Sequence, residues 1–249
     1  VRAITIMELD PTFDAGVGAF LNADGNVELD AGLMDGTTLR VGAVGAIQCV
    51  KTPMVVARRL LDDGRHSFLV GDGALRYARQ IGIEECRMEE LVIDRERRLW
   101  ESIRSGRTGA TVPDIFGTVG AVAIDSRQTI AAGTSSGGVP FKLPGRIGDT
   151  PLVGCGFYAD STSSGASVTG IGEAIMRILM AKTAVDLVAT GCHPMEAAQT
   201  AVRRLHDRVG GRGGIIVLDR SGEIGYAFNT PRMAYAYRRE GMAKPAVGI

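Results

Sequence analysis

The amino-acid sequence predicts a single α/β domain of four layers, and three observations carry that reading. Helix-period stretches succeed one another against two separate sets of strand-like runs, and two sheets each covered by its own helices make four layers. The chain has 249 residues, 45% hydrophobic and 22% charged, enough length and apolar material to bury a substantial core. No internal repeat and no linker-like shift in composition divides it, so residues 1–249 read as one domain.

Composition also excludes several classes. Lys plus Arg (28) balance Asp plus Glu (28), so the basic footprint of a nucleic-acid or anionic-membrane binder is missing. No apolar run approaches the roughly 18 residues that cross a bilayer, and no secretory leader is read ahead of Val1. Cys49, Cys86, Cys155 and Cys192 form no paired motif and read as reduced thiols of a cytoplasmic protein. His66, His193 and His206 lack metal-ligand spacing and read as structural.

In chain order, Val1 to Met7 has the spacing of the end of an amphipathic helix, and Asp10-Pro11 marks a turn. An Asx and Gly turn at 22–26 separates short strands expected at 19–21 and 27–29. Residues 39–46 read as a strand, Pro53 opens a helix reaching about Leu61, 66–70 is a strand, and 71–82 is a helix closed by Gly82. A charged helix begins at Asp94-Arg95-Glu96-Arg97-Arg98, and residues 105–113 then lose all periodicity, as a flexible connector does. The next run, 117–125, is apolar nearly throughout, which suits a strand buried on both faces. Ser126-Arg127-Gln128 turns it back into 129–134 as a hairpin, and strands follow at 152–158 and 164–168. One long helix is expected from Glu173, with Ile175, Ile178, Leu179, Val185 and Val188 facing a sheet. A second starts at Pro194, and a hairpin of 215–218 and 224–227 closes the sheet.

Thr118 is the residue out of place. A hydroxyl at the mouth of an apolar strand is either satisfied by a backbone carbonyl or put to chemical use. Threonine becomes nucleophilic only beside a base, and the nearest base is its own α-amine once the preceding peptide bond is cut. That amine titrates at roughly 7.7 to 8.0, near operating pH. Gly117 suits such a cut, because a residue without Cβ accepts the strained backbone that presents a scissile carbonyl to the neighbouring hydroxyl. A connector ending there lets Thr118 remain in place as a new amino terminus.

Four motifs stand in order: Gly117-Thr118-Val119-Gly120-Ala121-Val122-Ala123-Ile124-Asp125, Thr134-Ser135-Ser136-Gly137-Gly138, Lys142-Leu143-Pro144-Gly145-Arg146-Ile147-Gly148-Asp149-Thr150-Pro151-Leu152 and Thr169-Gly170-Ile171-Gly172-Glu173. Together with Glu28-Leu29-Asp30-Ala31 and Met34-Asp35-Gly36, they resemble the plant-type L-asparaginase and isoaspartyl peptidase family of N-terminal-nucleophile hydrolases, and weaker likeness runs from residue 1 to Met233. The resemblance implies an αββα sandwich and self-cleavage between Gly117 and Thr118 into an α chain (1–117) and a β chain (118–249). It implies hydrolysis of the side-chain amide of L-asparagine or of β-aspartyl dipeptides, by a homodimer of αβ units. Thr118 is then the nucleophile, tuned by Ser136, and Thr169 and Gly170 form the oxyanion hole. Arg146 clamps the substrate α-carboxylate, Asp149 holds the α-ammonium, and Gly172 lies beside them. No catalytic cofactor is implied, but a structural sodium ion is, on backbone carbonyls of Met7, Glu8, Asp10, Phe13, Ala15 and Val17.

Three positions depart from the family pattern. Ser136 stands for a usual threonine and lacks the methyl that restricts χ1, with Thr134 as a partial substitute. Asp14 stands where many members have asparagine, and its negative charge is expected to raise the pKa of an adjacent ammonium. Phe116 replaces a common histidine. Members also carry some tens of residues ahead of this point, with a first strand ending in a His-Gly-Gly loop, so the expectation is a fold without that strand. Two further readings stand beside the main one: a glycosylasparaginase-like amidase sharing every catalytic role, and an uncleaved, inactive homologue acting as a binding or scaffold protein.

Overall fold

The computed structural model describes residues 1–108 and 117–249. Among these residues the buried apolar side chains form three clusters, the number of interfaces that four stacked layers require. The first sheet has the order β3-β2-β1-β5-β4, made of β1 (Leu29–Asp35), β2 (Val41–Ile47), β3 (Phe68–Val70), β4 (Val119–Ile124) and β5 (Ile130–Ser136). All its pairings are antiparallel except β2 with β3. The second sheet, β6-β7-β8-β9, is antiparallel throughout and consists of β6 (Phe157–Asp160), β7 (Ser164–Gly170), β8 (Gly213–Asp219) and β9 (Ile224–Phe228).

Helices α1 (Arg2–Glu8), α2 (Pro53–Asp63) and α3 (Gly71–Gln80) cover the first sheet, where Met54, Leu60 and Leu61 meet Leu29 and Ile47. On the other side, α5 (Gly172–Ile178), α6 (Met180–Ala189) and α7 (Pro194–Val209) cover the second, where Ile175, Met180 and Leu205 meet Val168 and Val217. Between the sheets lie Met34, Ile130, Ala132, Phe157 and Ala159. The αββα sandwich expected from the sequence is thus the observed layering. The charged helix is α4 (Asp94–Arg104), held by Trp100, whose Nε1 donates to Asn22 O at 2.9 Å. A small pair, β10 (Tyr235–Tyr237) with β11 (Ala246–Gly248), ends the chain. His193 has the structural use expected, capping α7 by accepting from Met195 N.

Several elements differ from the sequence reading. The strands expected at 19–21 and 27–29 reduce to one bridge, Leu21 with Val27, because the Asn22 side chain takes the turn amides of Asp24 and Asn26 and closes the loop at once. The strand expected at 152–158 starts only at Phe157, since residues 149–156 are turns. The single long helix from Glu173 is two, broken at Leu179, which adopts φ 50° and is 52% exposed rather than facing the sheet. The break has a tertiary cause: Gly154 O and Cys155 O accept the first amides of α6, from Lys182 and Ala181, and so cap a new helix start. The run from Val119 is not buried on both faces. It is an edge strand, with Val119 buried, Ala123 exposed and the rest half-buried, because its free side fronts an open cavity. The connector's residues 109–113, like Phe116, lie outside the described residues.

Glycines set how closely the layers approach. A Cβ on Gly32 would overlap the Phe157 ring, and one on Gly42 would overlap the carbonyl of Ala57 in α2. Gly73, within α3, meets nothing within 4 Å and needs no positive φ. Gly42→Ala should therefore lower stability by about 1 to 3 kcal/mol through overpacking, whereas Gly73→Ala should raise it by about 0.5 to 1 kcal/mol. Thermal unfolding of the two variants checks this, and equal shifts would refute the assignment of a packing role to Gly42.

Candidate active site

The hairpin of β4 and β5 pairs Val119 with Ser135, and one step further it sets Thr118 opposite Ser136. Thr118 Oγ1 donates to Ser136 Oγ at 3.2 Å, and the same oxygen accepts Gly138 N–H at 2.9 Å. Ser136 is 2% exposed and held from two sides, so the missing methyl is offset by hydrogen bonds. Thr134 does not substitute for it, because its hydroxyl is used by Thr150 O at 2.7 Å. Gly117 is required by space, because a Cβ there would overlap the Cβ of Asp14.

Asp14 is buried beneath this corner. Its Oδ1 accepts Phe20 N–H at 2.7 Å, its main-chain carbonyl accepts Gly137 N–H at 2.9 Å, and Oδ2 has no partner. Burial pushes its carboxyl well above the usual range, against the opposing effects of the Phe20 bond and the Lys142 charge. The negative charge expected at this position is therefore disfavoured, since a desolvated carboxyl prefers its neutral form.

Arg146 and Asp149 converge on Gly172. A Cβ on that glycine would stand 2.9 Å from both Arg146 Nη2 and Asp149 Oδ1, and Gly138 likewise lies under Arg146 Nη1 at 3.2 Å from a Cβ position. Contacts thus run from Thr118 through Ser136 and Gly138 to Arg146 and Asp149. Arg146 gives its Nε and Nη2 edge to Glu173, at 2.8 and 2.9 Å, which leaves the Nη1 end for a second carboxylate. Glu173 stood in the sequence only as the end of a motif; its partner is visible only in three dimensions. Asp149 is 4% exposed with Oδ2 unpaired. Its carboxyl is pushed up to about 7 by burial, opposed by its own backbone amide and Arg146, and pushed further by Asp30 and Glu173.

Lys142 was also missed as a functional residue. It is 4% exposed, donates to Glu28 O at 2.8 Å, and its charge opposes burial at both Asp14 and Asp30. Asp30 is structural as expected of a buried acid at a strand, its Oδ1 accepting Ala46 N–H at 2.8 Å.

Thr169 and Gly170 end β7 and share one cavity of about 1450 Å³ with Gly117 and Thr118, between β4 and β8. Gly170 has φ +141°. The loop carrying Met7, Glu8, Asp10, Phe13, Ala15 and Val17 folds back on itself, with Glu8 O accepting Val17 N–H at 2.8 Å. Among the described residues no group of three or more His, Cys, Asp or Glu side chains is arranged to hold a metal. The cysteines are all free, as expected, and no described helix is long and apolar enough to cross a membrane.

Comparison with known proteins places the sequence in a family. The profile described as Asparaginase spans residues 1–247. The plant-type L-asparaginase of Pyrococcus horikoshii is 40% identical over 263 residues, covering 100% of this chain and 85% of that protein. The isoaspartyl peptidase/L-asparaginase of Mus musculus is 36% identical over 249 residues, covering 99% of this chain and 76% of that protein, and that of Danio rerio is 38% identical over 243 residues, covering 97% and 78%. With nearly its whole length matched by the family profile and by relatives 36–40% identical, the chain belongs to the asparaginase family.

Proposed function

We propose that the protein is an amidohydrolase that cleaves the side-chain amide of L-asparagine or the β-linked bond of isoaspartyl dipeptides, using Thr118 as a nucleophile released by self-cleavage. The observation that carries this reading is the run of contacts from the Thr118 hydroxyl through Ser136 and Gly138 to the Arg146 and Asp149 pair on Gly172. A weak nucleophile thereby shares one corner with groups suited to both charged ends of an amino acid, leaving the substrate's side-chain amide to face the hydroxyl.

In self-cleavage, Thr118 Oγ attacks the Gly117 carbonyl carbon, the Gly117–Thr118 C–N bond breaks, and the resulting ester is hydrolysed by water to give chains 1–117 and 118–249. In turnover, Thr118 Oγ attacks the substrate amide carbon while the free α-amine takes its proton and hands it to the departing nitrogen. Water then resolves the acyl ester, releasing aspartate. Ser136 orients the Thr118 hydroxyl, and Thr169 with the Gly170 amide holds the oxyanion.

The carbonyls of Met7, Glu8, Asp10, Phe13, Ala15 and Val17 suit a sodium ion. Those of Met7, Glu8 and Asp10 each accept one backbone N–H, which leaves each a second lone pair for a cation. Such an ion supplies structural support to the loop under Asp14 and no catalytic step. We place the enzyme in the cytoplasm, in keeping with its four free cysteines, as a homodimer of αβ units for which exposed Val1, Ile6 and Leu9 offer apolar surface.

Purified protein should resolve on a denaturing gel into two chains with masses of residues 1–117 and 118–249, and Thr118→Ala should remain one folded, inactive chain. Asparagine hydrolysis by intact, uncut protein would remove the free amine as base.

Arg146→Ala should weaken use of L-asparagine by at least about 10-fold, since an unpaired charge in a desolvated site costs roughly 2 to 5 kcal/mol. The loss should be smaller on a substrate whose α-carboxylate is blocked. Equal losses on both would make Arg146 structural.

The Asp149 carboxyl, pushed up to about 7, must ionise to receive an ammonium. For L-asparagine, kcat/KM should therefore fall with two protons as pH drops below about 7, one on Asp149 and one on the Thr118 amine. For the analogue lacking the α-amino group, 3-carbamoylpropanoate, one proton should suffice. Limbs of the same steepness for both substrates would take Asp149 out of ammonium recognition.

A further inference from the structure

Behind Gly170 lies a turn of unusual freedom, Gly210-Gly211-Arg212-Gly213-Gly214, joining α7 to β8. A Cβ on Gly170 would overlap Arg212 O and stand 2.5 Å from Gly213 Cα, so the two strand ends are in direct contact. Ile171 N–H donates to Arg212 O at 2.9 Å. Alternation along an antiparallel ladder then turns the amide of Gly170, one residue earlier, away from β8. On its other side the pairing of β7 with β6 stops at Ser167, so Gly170 N–H faces no strand there either. Where that amide points is set by where the glycine turn holds Arg212.

Asn229 holds the turn. Its Oδ1 accepts Gly213 N–H at 2.8 Å, its Nδ2 donates to Gly211 O at 3.0 Å, and its own N–H donates to Gly213 O at 3.1 Å. The three bonds bracket Arg212 on both sides. The β8–β9 ladder ends at Gly214 with Phe228, so the side-chain bonds of Asn229 lie outside it and are not needed to keep the sheet paired.

We propose that Asn229 is a positioning residue for amide hydrolysis: by clamping residues 211–213 it fixes the Gly170 amide where negative charge develops on the substrate oxygen. The proposal rests on the function proposed above. Catalytic donors must be held within about 0.5 Å of their working position, and four glycines around Arg212 give the backbone freedom that a clamp removes. Asn229 touches neither charged end of the substrate, so its loss should appear in turnover and not in binding.

The test is Asn229→Ala beside Asn229→Asp, which keeps the acceptor for Gly213 but loses the donor to Gly211. Asn229→Ala should self-cleave and bind L-asparagine with a KM within about 2-fold of the parent, while kcat drops by at least about 10-fold; Asn229→Asp should fall between. Backbone amide exchange should rise about 10-fold at residues 171 and 213, whose amides are bonded to Arg212 O and Asn229 Oδ1, in Asn229→Ala and stay unchanged in β1 and β2. An unchanged kcat, or KM rising in step with a general loss of protection, would overturn the clamp. If the parent protein hydrolyses neither L-asparagine nor an isoaspartyl dipeptide, the functional reading fails by itself. The exchange measurement still decides the clamp: unchanged exchange at 171 overturns it, and faster exchange confined to 171 and 213 upholds it.

Discussion

Backbone contact too close for a Cβ is the constraint on which the Thr118 corner depends. Gly117 and Gly137 both lie against Asp14, Gly120 lies against Ser167 of the opposite sheet, and Gly170 lies against Arg212. These four glycines let three elements approach one corner: the loop before β1, the second sheet, and the α7–β8 turn. A Cβ at any of them would overlap its neighbour, so something there would have to shift. Thr118, Thr169 and Gly170 line one cavity because these approaches hold together.

Electrostatics around that corner favour a ligand over an empty site. Asp14, Asp30 and Asp149 are buried, each with an unpaired Oδ2, and burial raises all three carboxyls. The cations that answer them, Lys142 and Arg146, are committed to Glu28 O and to Glu173. Burial thus makes the charge on Asp149 costly in the empty site, and an α-ammonium is a cation that would favour it. Such incompletely satisfied groups cost stability in the free protein, a common trade at sites that bind charged ligands.

Much of the site was legible in the sequence because it lies on local structure. A hairpin turning at Ser126-Arg127-Gln128 places Thr118 opposite Ser136 by register alone, and Arg146 and Asp149 share one short loop. The parts that were not legible come from distant partners. Glu173 meets Arg146 across 27 residues, Lys142 meets Glu28 across 114, and the break at Leu179 exists because Gly154 and Cys155 offer carbonyls to α6. An apolar run such as Val119–Ile124 does not say whether its outer side meets protein or a cavity, since both suit the same side chains.

By itself, then, the sequence determined the layer architecture, the helix and hairpin order, and the strand that carries Thr118 with its motif partners, because periodicity, turn chemistry and residue type are local properties. Tertiary structure alone decided which hydroxyl meets Thr118, which edge of the Arg146 guanidinium Glu173 takes, which carboxyls burial pushes up, and which residue bonds the 211–213 turn. Those depend on distance and solvent exclusion between residues far apart in the chain, and neither quantity is written in the order of the residues.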